Sequence, residues 1–457
     1  MNIIIVGNGK IGYTLAEYLS NNGHDVTVVD KEKSALLKAS ETLDVLCVLG
    51  NGGNVRSLIE AGAEKADVII AVTANDELNM VCCLAAKQLG TKYSIARIRD
   101  PEYTESLTLL QERLDIDQVI NPERTTAQEI SRLLRFPFAM SIESFAHGRV
   151  EMVEFLVTDR DDITDQPLWK LHSRFPHVQF VAVQRHKEGA IVPDGSFVIH
   201  TGDRLYVSGE HIAVTRFFKY LNKDTQRVKS AMLIGGGHIS FYLARQLTTL
   251  GVSIKLLEIK PQKAHDLSGK LEGVNVICGD GTDREVLTDE NMDIFDALIC
   301  LTGRDEENII TGLYGVRTGV RKVIVKVNRL NIPEVLDELG LANIVSPKIS
   351  TANAILRSVR ALSHSHSSAI QKVYGMLGGK IEAYEFTALE GSAFLNVPLA
   401  QLKIKKGVLV CVIVRGRHTI IPFGGDHIEA GDTVILSAKA GSVYDLDDAF
   451  LGVKEAT

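Results

Sequence analysis

The chain alternates short, continuously apolar runs with longer stretches whose apolar residues recur at helical spacing. Over the first 135 residues the apolar runs fall at 2–6, 25–29, 44–49, 67–72, 93–98 and 116–120. Helical patterns fill most of the gaps, for example 10–22, 76–89 and 122–135, with Pro122 suited to a first helical turn. Strands apolar on both faces, separated by amphipathic helices, predict a doubly wound parallel sheet. The pattern then changes. From about 141 to 221 it predicts strands at 150–157, 178–185, 190–192, 196–199 and 204–208, with helical stretches near 165–174 and at 211–221. Pro193-Asp194-Gly195 is a turn signal between two of these strands. This segment is a compact α+β lobe, and 222–226 reads as a polar linker.

At 229 the whole pattern restarts. Gly7-Asn8-Gly9-Lys10-Ile11-Gly12 returns as Gly235-Gly236-Gly237-His238-Ile239-Ser240, and Asp30 returns as Glu258. Gly50-Asn51-Gly52 returns as Gly279-Asp280-Gly281, and Thr73-Ala74-Asn75-Asp76-Glu77 as Thr302-Gly303-Arg304-Asp305-Glu306. Asn79 is matched by Asn308, Arg97 by Lys326, and Asn121-Pro122 loosely by Ser346-Pro347. In the lobes, Ile191-Val192-Pro193 matches Ile420-Ile421-Pro422, and Gly202-Asp203 matches Gly431-Asp432. The expected fold is therefore α/β: two Rossmann-like parallel-sheet domains, each followed by a small α+β lobe. The expected domains are 1–135, 136–222, 229–365 and 370–457.

The first glycine turn follows a strand, opens a helix and is followed by Asp30. Its first glycine permits the tight turn, the second lets backbone approach a diphosphate, and the third lets helix pack on strand. A helix N-terminus favours the diphosphate through free N–H groups and the helix dipole. Asp30 is placed to bond ribose hydroxyls, which suits NAD or an adenosine without a 2′-phosphate. Lys10 can neutralise phosphate charge. Arg97 and Arg99 sit where the fifth strand opens onto a ligand crevice and can hold phosphate bidentately, the alternative being that one or both are helix-facing surface residues. In the second copy Ser240 replaces the third glycine, and Lys326 and Asn328 replace the arginines, a weaker phosphate grip. A working site and a purely architectural one both fit that copy. Asp76 and Glu77 suit a helix start, where carboxylates satisfy unpaired N–H groups and favour the dipole. Glu123 fits a surface acid favourable to the helix dipole, a group reaching a phosphate-bound cation or one reaching a neighbouring subunit.

Composition narrows the classes. Of 457 residues, 45% are hydrophobic and 23% charged, as in ordinary globular proteins. The net charge of −7 gives no reason to expect nucleic-acid binding. Nothing resembles an apolar run long enough to span a membrane, and the N-terminus enters a strand rather than a signal peptide. The cysteines at 47, 82, 83, 278, 300 and 411 lack CxxC spacing and read as reduced and buried in a cytosolic protein. His364 and His366 make a poor metal site without a third partner, so no metal is expected. The basic stretch 315–322 reads as a solvated helix end.

The string Thr73-Ala74-Asn75-Asp76-Glu77-Leu78-Asn79-Met80, the string 96–103 beginning Ala-Arg-Ile-Arg and the tandem plan resemble the Trk-type potassium uptake regulators. These are proteins with two domains that regulate K⁺ conductance (RCK domains). The resemblance implies a cytoplasmic protein, peripheral on the inner face of the membrane, forming a homotetramer ring under a membrane-embedded K⁺-translocating subunit. It implies NAD(H), ATP or ADP as ligands and no enzymatic activity. Carried over by position, Gly7, Asn8, Gly9, Lys10, Ile11 and Gly12 hold the diphosphate and Asp30 the ribose. Asn51, Thr73 and Ala74 flank the adenosine, and Arg97 and Arg99 read terminal phosphates. Gly235, Gly237, Glu258, Asp280 and Thr302 follow in the second copy. Glu123 matches an acid used for cation binding in some relatives. Two other classes are weighed. An NAD-dependent oxidoreductase needs an acid–base group at the nicotinamide, and no conspicuous His–Asp or Tyr–Lys pair stands out. A redox-sensing DNA-binding regulator needs a basic helix-turn-helix, but the termini hold a strand and the acidic segment 444–448.

Overall fold

The computed structural model describes residues 1–453 apart from 22, 101, 102, 104–110, 112, 137, 186, 187, 224, 329–338, 342, 364–368 and 444. His364 and His366, Pro101 and Glu102 of the string at 96–103, Asp224 of the linker and Tyr444 of the acidic segment lie outside the described residues.

The first repeat begins with β1 (Asn2–Val6), α1 (Lys10–Asn21), β2 (Asp25–Asp30), α2 (Lys33–Thr42), β3 (Leu46–Leu49) and α3 (Val55–Glu60). It continues with β4 (Val68–Ala71), α4 (Asp76–Leu89), β5 (Tyr93–Arg97), β6 (Gln118–Ile120) and α5 (Pro122–Leu133). The strand order is β3-β2-β1-β4-β5-β6, all parallel. Ile3, Ile4, Ile5 and Val6 are at most 2% exposed, because helices cover both faces of a parallel sheet. The chain order reverses between β1 and β4, which opens a crevice at the carboxyl ends of the strands. The lobe follows with β7 (Ser141–Phe145), β8 (Val150–Leu156), α6 (Leu168–Arg174), β9 (Gln179–Arg185), β10 (Gly189–Ile191), β11 (Arg204–Glu210) and α7 (His211–Tyr220). Its antiparallel order is β10-β9-β11-β8-β7.

Two expectations fail in this lobe. β7 was not expected, and 196–199 is not a strand: Val198 forms only an isolated bridge with Pro167. The apolar pair Phe197-Val198 is instead held by a turn, in which Ser196 N–H donates to the Asp194 carboxylate.

The second repeat comprises β12 (Ser230–Ile234), α8 (His238–Thr249), β13 (Ser253–Glu258), α9 (Pro261–Lys270), β14 (Val274–Cys278), α10 (Arg284–Asp289), β15 (Ala297–Cys300), α11 (Asp305–Arg317), β16 (Lys322–Lys326), β17 (Ile344–Val345) and α12 (Pro347–Ser363). Its order, β14-β13-β12-β15-β16-β17, repeats the first sheet. The closing lobe holds β18 (Ala369–Met376), β19 (Ile381–Thr387), β20 (Leu402–Ile404), β21 (Val408–Arg415), β22 (His418–Ile420), β23 (Thr433–Lys439) and β24 (Phe450–Val453). These form a five-stranded sheet, β18-β19-β23-β21-β22, and the pair β20-β24. The fold is thus α/β with two Rossmann-like parallel sheets and two antiparallel ones.

Like packs with like. One compact unit joins Met1–Ser131 to Val228–Val359, and the other joins Arg132–Arg227 to Arg360–Thr457. In the first unit the repeats touch through Asn121 Nδ2, which donates to the Tyr242 hydroxyl (3.2 Å), and through Ser350 and Glu129. In the second unit, Val150, Met152 and Val181 of one lobe share a core with Ala383, Cys411 and Ile435 of the other. Lys372 Nζ stands 2.6 Å from Glu143 Oε1 across that contact.

Two side-chain expectations also change. Cys278 is exposed, because it closes β14, an edge strand of its sheet that is only partly buried. The stretch 315–322 is not all solvated: Lys322, opening β16, is 1% exposed and donates to Asn343 Oδ1 at 2.7 Å. Arg321 pairs with Asp296 at 3.4 Å.

Candidate functional site

β1 runs into Gly7, whose φ of +99° favours glycine. A Cβ there would lie 2.9 Å from the Thr73 nitrogen, so the turn presses on the exit of β4. Gly12 packs back on the same turn: a Cβ would fall 1.9 Å from the Gly7 carbonyl oxygen. Gly9 is different, with nothing within 4 Å of its Cβ position. Two glycines therefore shape the turn, and Gly9 keeps space clear before α1. The first N–H groups of a helix lack intrahelical partners, and with the dipole they make that space suited to an anion.

Asp30, at the end of β2, clamps the turn. Its Oδ2 accepts from Asn8 N–H at 2.5 Å and its Oδ1 from Glu32 N–H at 2.9 Å. The Asn8 side chain turns away and donates to the Ala35 carbonyl at 2.7 Å.

The resulting cleft has a volume of about 680 Å³ and lies at the switch point of the sheet. Gly7, Gly9, Lys10, Ile11, Asp30, Asn51, Thr73, Ala74, Arg97 and Arg99 line it. Asn8 and Gly12 are not on its wall; both are buried in the frame of the turn.

A buried amide organises the β4 side. Asn79 Oδ1 accepts from Thr73 N–H (2.9 Å) and from its hydroxyl (2.7 Å), while Nδ2 donates to the Arg97 carbonyl (2.8 Å). Asn75 caps α4 by accepting from Leu78 N–H at 2.5 Å. Asp76 has another task than capping: its Oδ2 accepts from Arg99 N–H at 2.8 Å and fixes the loop after β5. Arg97 donates to the Thr73 carbonyl at 2.9 Å, and its buried Nε has no partner among the described residues. Burial lowers its pKa and the nearby Arg99 adds to that, yet a guanidinium remains charged. Arg99 grips Glu123 through Nε (2.7 Å) and a terminal nitrogen (2.6 Å). Glu123 is 8% exposed, and its Oε2 has no hydrogen-bond partner among the described residues.

The second repeat builds a cleft of about 860 Å³ in the same way, lined by Gly235, Gly237, Glu258, Asp280 and Thr302. Ser240 is fully buried and its hydroxyl donates to the Gly235 carbonyl. The third glycine is thus replaced by a hydrogen bond, and the turn survives with Gly235 at φ +94°. Burial raises the Glu258 pKa, but N–H of Lys260, the Lys263 ammonium and N–H of Gly236 outweigh it and hold the carboxyl below its ordinary value. Asn308 repeats the role of Asn79, bonding Thr302 N–H (2.9 Å) and the Lys326 carbonyl (2.9 Å).

The clefts meet. Arg99, Glu123, Ile239 and Lys326 line both, and Asn328, Pro347 and Lys348 line the first. Asn328 therefore faces the first cleft rather than its own repeat's. The first cleft sets Lys10, Lys31, Arg97, Arg99, Lys326 and Lys348 against Asp30 and Glu123. The second sets Arg99, Lys260, Lys263, Arg304 and Lys326 against Glu123, Glu258, Asp280 and Glu307. There Lys263 pairs with Glu258 (3.1 Å) and Arg304 with Glu307 (2.9 Å). The first cleft is the more cationic. Lys31 and Lys348 escaped the sequence reading. The Pro122 and Pro347 match was the available signal for Lys348.

The TrkA-N domain model matches residues 3–122 and 231–347, and the TrkA-C domain model matches 383–451. The chain is 32% identical to a Trk system potassium uptake protein TrkA homolog of Archaeoglobus fulgidus, over 98% of this chain and 100% of that one. It is 32% identical to Trk system potassium uptake protein TrkA of Vibrio alginolyticus, over 95% of each. The fold resembles the GsuK channel (TM-score 0.62, 18% identity, 96% of this chain and 76% of that one). It also resembles the GsuK channel bound to NAD (TM-score 0.61, 19% identity, 96% and 76%). With duplicated nucleotide-type clefts and relatives aligned end to end, the chain belongs to the TrkA family of Trk system potassium uptake proteins.

Proposed function

We propose that this chain is the regulatory subunit of a potassium uptake system. It binds NAD(H), ATP or ADP in the first cleft and gates a membrane K⁺-translocating partner. One observation carries the reading: Asp30, Gly9, Arg97 and Arg99 line one cleft, and the strand order sets Asp30 at the end of β2 and Arg97 at the end of β5 on opposite sides of the β1 turn. An adenosine ribose suits the acid, a diphosphate the helix N-terminus, and further phosphate or a second nucleoside the arginine end. The family and the NAD-bound GsuK channel support it. The cleft senses rather than catalyses, since its far end gathers cations suited to holding phosphate. A nucleotide shifts an equilibrium only through its differential affinity for two shapes, and seams lined by both repeats supply the moving part. The working form is a homotetramer ring, peripheral on the inner face of the membrane. Among the described residues no helix is long and apolar enough to cross a membrane.

Calorimetric titration of NADH, ATP and ADP into the full chain tests the reading. Saturable binding of each, with a strong site in the first cleft, is expected. No binding of any of the three would overturn it.

A further inference from the structure

The helix after the sixth strand opens with a different charge in each repeat: Pro122-Glu123 in the first, Pro347-Lys348 in the second. Through the packing of the repeats, Lys348 lines the first cleft, while Glu123 lines both. The clefts meet at Arg99, Glu123, Ile239 and Lys326, so the second repeat reaches the first cleft where its arginine end is lined. The strand order sets β5, which carries Arg97, on the far side of β1 from β2 and Asp30. Lys348 is partly buried and has no hydrogen bond or ion pair among the described residues. Arg97 lines the same cleft, and its buried Nε has no partner among the described residues. A diphosphate seated over Gly9 directs its next phosphate toward this end. An ammonium from one repeat and a guanidinium from the other then face the same anion.

We propose that Lys348 reads the terminal phosphate of a nucleoside triphosphate held in the first cleft, a role that rests on the nucleotide reading above. A third phosphate then ties the second repeat to the first through Lys348 and Arg97. A nucleoside diphosphate or dinucleotide leaves that tie unmade. This is the differential contact by which two ligands sharing one cleft favour different arrangements of the repeats. It also assigns a use to the sign change at position 123 against 348: the second cleft receives a carboxylate where the first receives an ammonium.

The test is calorimetry on the full chain, comparing wild type with Lys348→Gln and Lys348→Glu for ATP, ADP and NADH at one ionic strength. Loss of a charge-assisted contact predicts ATP binding weaker by about tenfold in Lys348→Gln and by more in Lys348→Glu. ADP and NADH are expected to shift less than about threefold, which also reports an intact cleft. An unchanged ATP-to-ADP ratio in both variants overturns the proposal, as does equal weakening of all three ligands. Failure of the wild type to bind any of them defeats the parent reading, and this one with it.

Discussion

Gly9→Asp separates ligand binding from folding more cleanly than any other change at the turn. Gly9 is exposed, with nothing within 4 Å of its Cβ position, and it directly precedes α1. Aspartate is a favoured residue before a helix, where its carboxylate accepts from the first N–H groups. Fold stability should therefore stay within about 0.5 kcal/mol of wild type. The same carboxylate occupies the phosphate position and takes its donors. At about 4 Å it repels each phosphate charge by about 1 kcal/mol in bulk water and about 4 kcal/mol at an effective dielectric of 20. Two charges in an open cleft, taken at the low end, amount to about 2 kcal/mol, a loss of roughly thirtyfold in affinity before steric exclusion is added. Gly12→Ala is the contrast: its Cβ would fall 1.9 Å from the Gly7 carbonyl oxygen, so the turn must move. Calorimetry with NADH and ATP, together with thermal melting, should show binding lost at unchanged Tm in Gly9→Asp. Gly12→Ala should lose both. Wild-type titration curves for Gly9→Asp would refute the reasoning, and so would a fall in Tm as large as that of Gly12→Ala.

Asn79→Ala should cost about 2–4 kcal/mol in chemical denaturation, because Thr73 N–H and the Arg97 carbonyl lose their buried partner. Arg97→Ala with Arg99→Ala should reduce discrimination of ATP from ADP more than it weakens NADH, by calorimetry. Adding Glu123→Gln should then recover stability lost by stranding that carboxylate, which is 8% exposed. Burial pushes the Lys322 pKa down to about 7. Between that value and the ordinary lysine value, the unfolded chain holds a proton that the folded chain lacks, so this group makes stability rise with pH. Lys322→Met should flatten that rise in denaturation measured between about pH 7 and 10, and an unaltered slope would contradict the burial argument.

The parallel sheets were legible because their central strands are buried on both faces. Continuous apolar runs such as Ile3-Ile4-Ile5-Val6 therefore mark them within a residue or two. β7 was not legible. Its Ser-Ile-Glu-Ser-Phe sequence looks polar, yet Glu143 is 4% exposed because Lys372 from the other lobe neutralises it. Phe197-Val198 erred the other way, since an Asp194 turn overrides its strand propensity. In the cleft, local motifs placed Gly7, Gly9, Asp30 and the arginines. They could not place Asn8, whose side chain is claimed by Ala35. They also missed Ile239 and Lys348 in the first cleft, which depend on how the repeats pack.

The most direct test is K⁺ flux into proteoliposomes carrying a Trk-type membrane subunit together with this chain. Flux should change with added ATP or NADH for wild type and lose that dependence in Gly9→Asp. Flux indifferent to nucleotide in the wild type, or equally responsive in Gly9→Asp, would contradict the claim that the first cleft is the sensor.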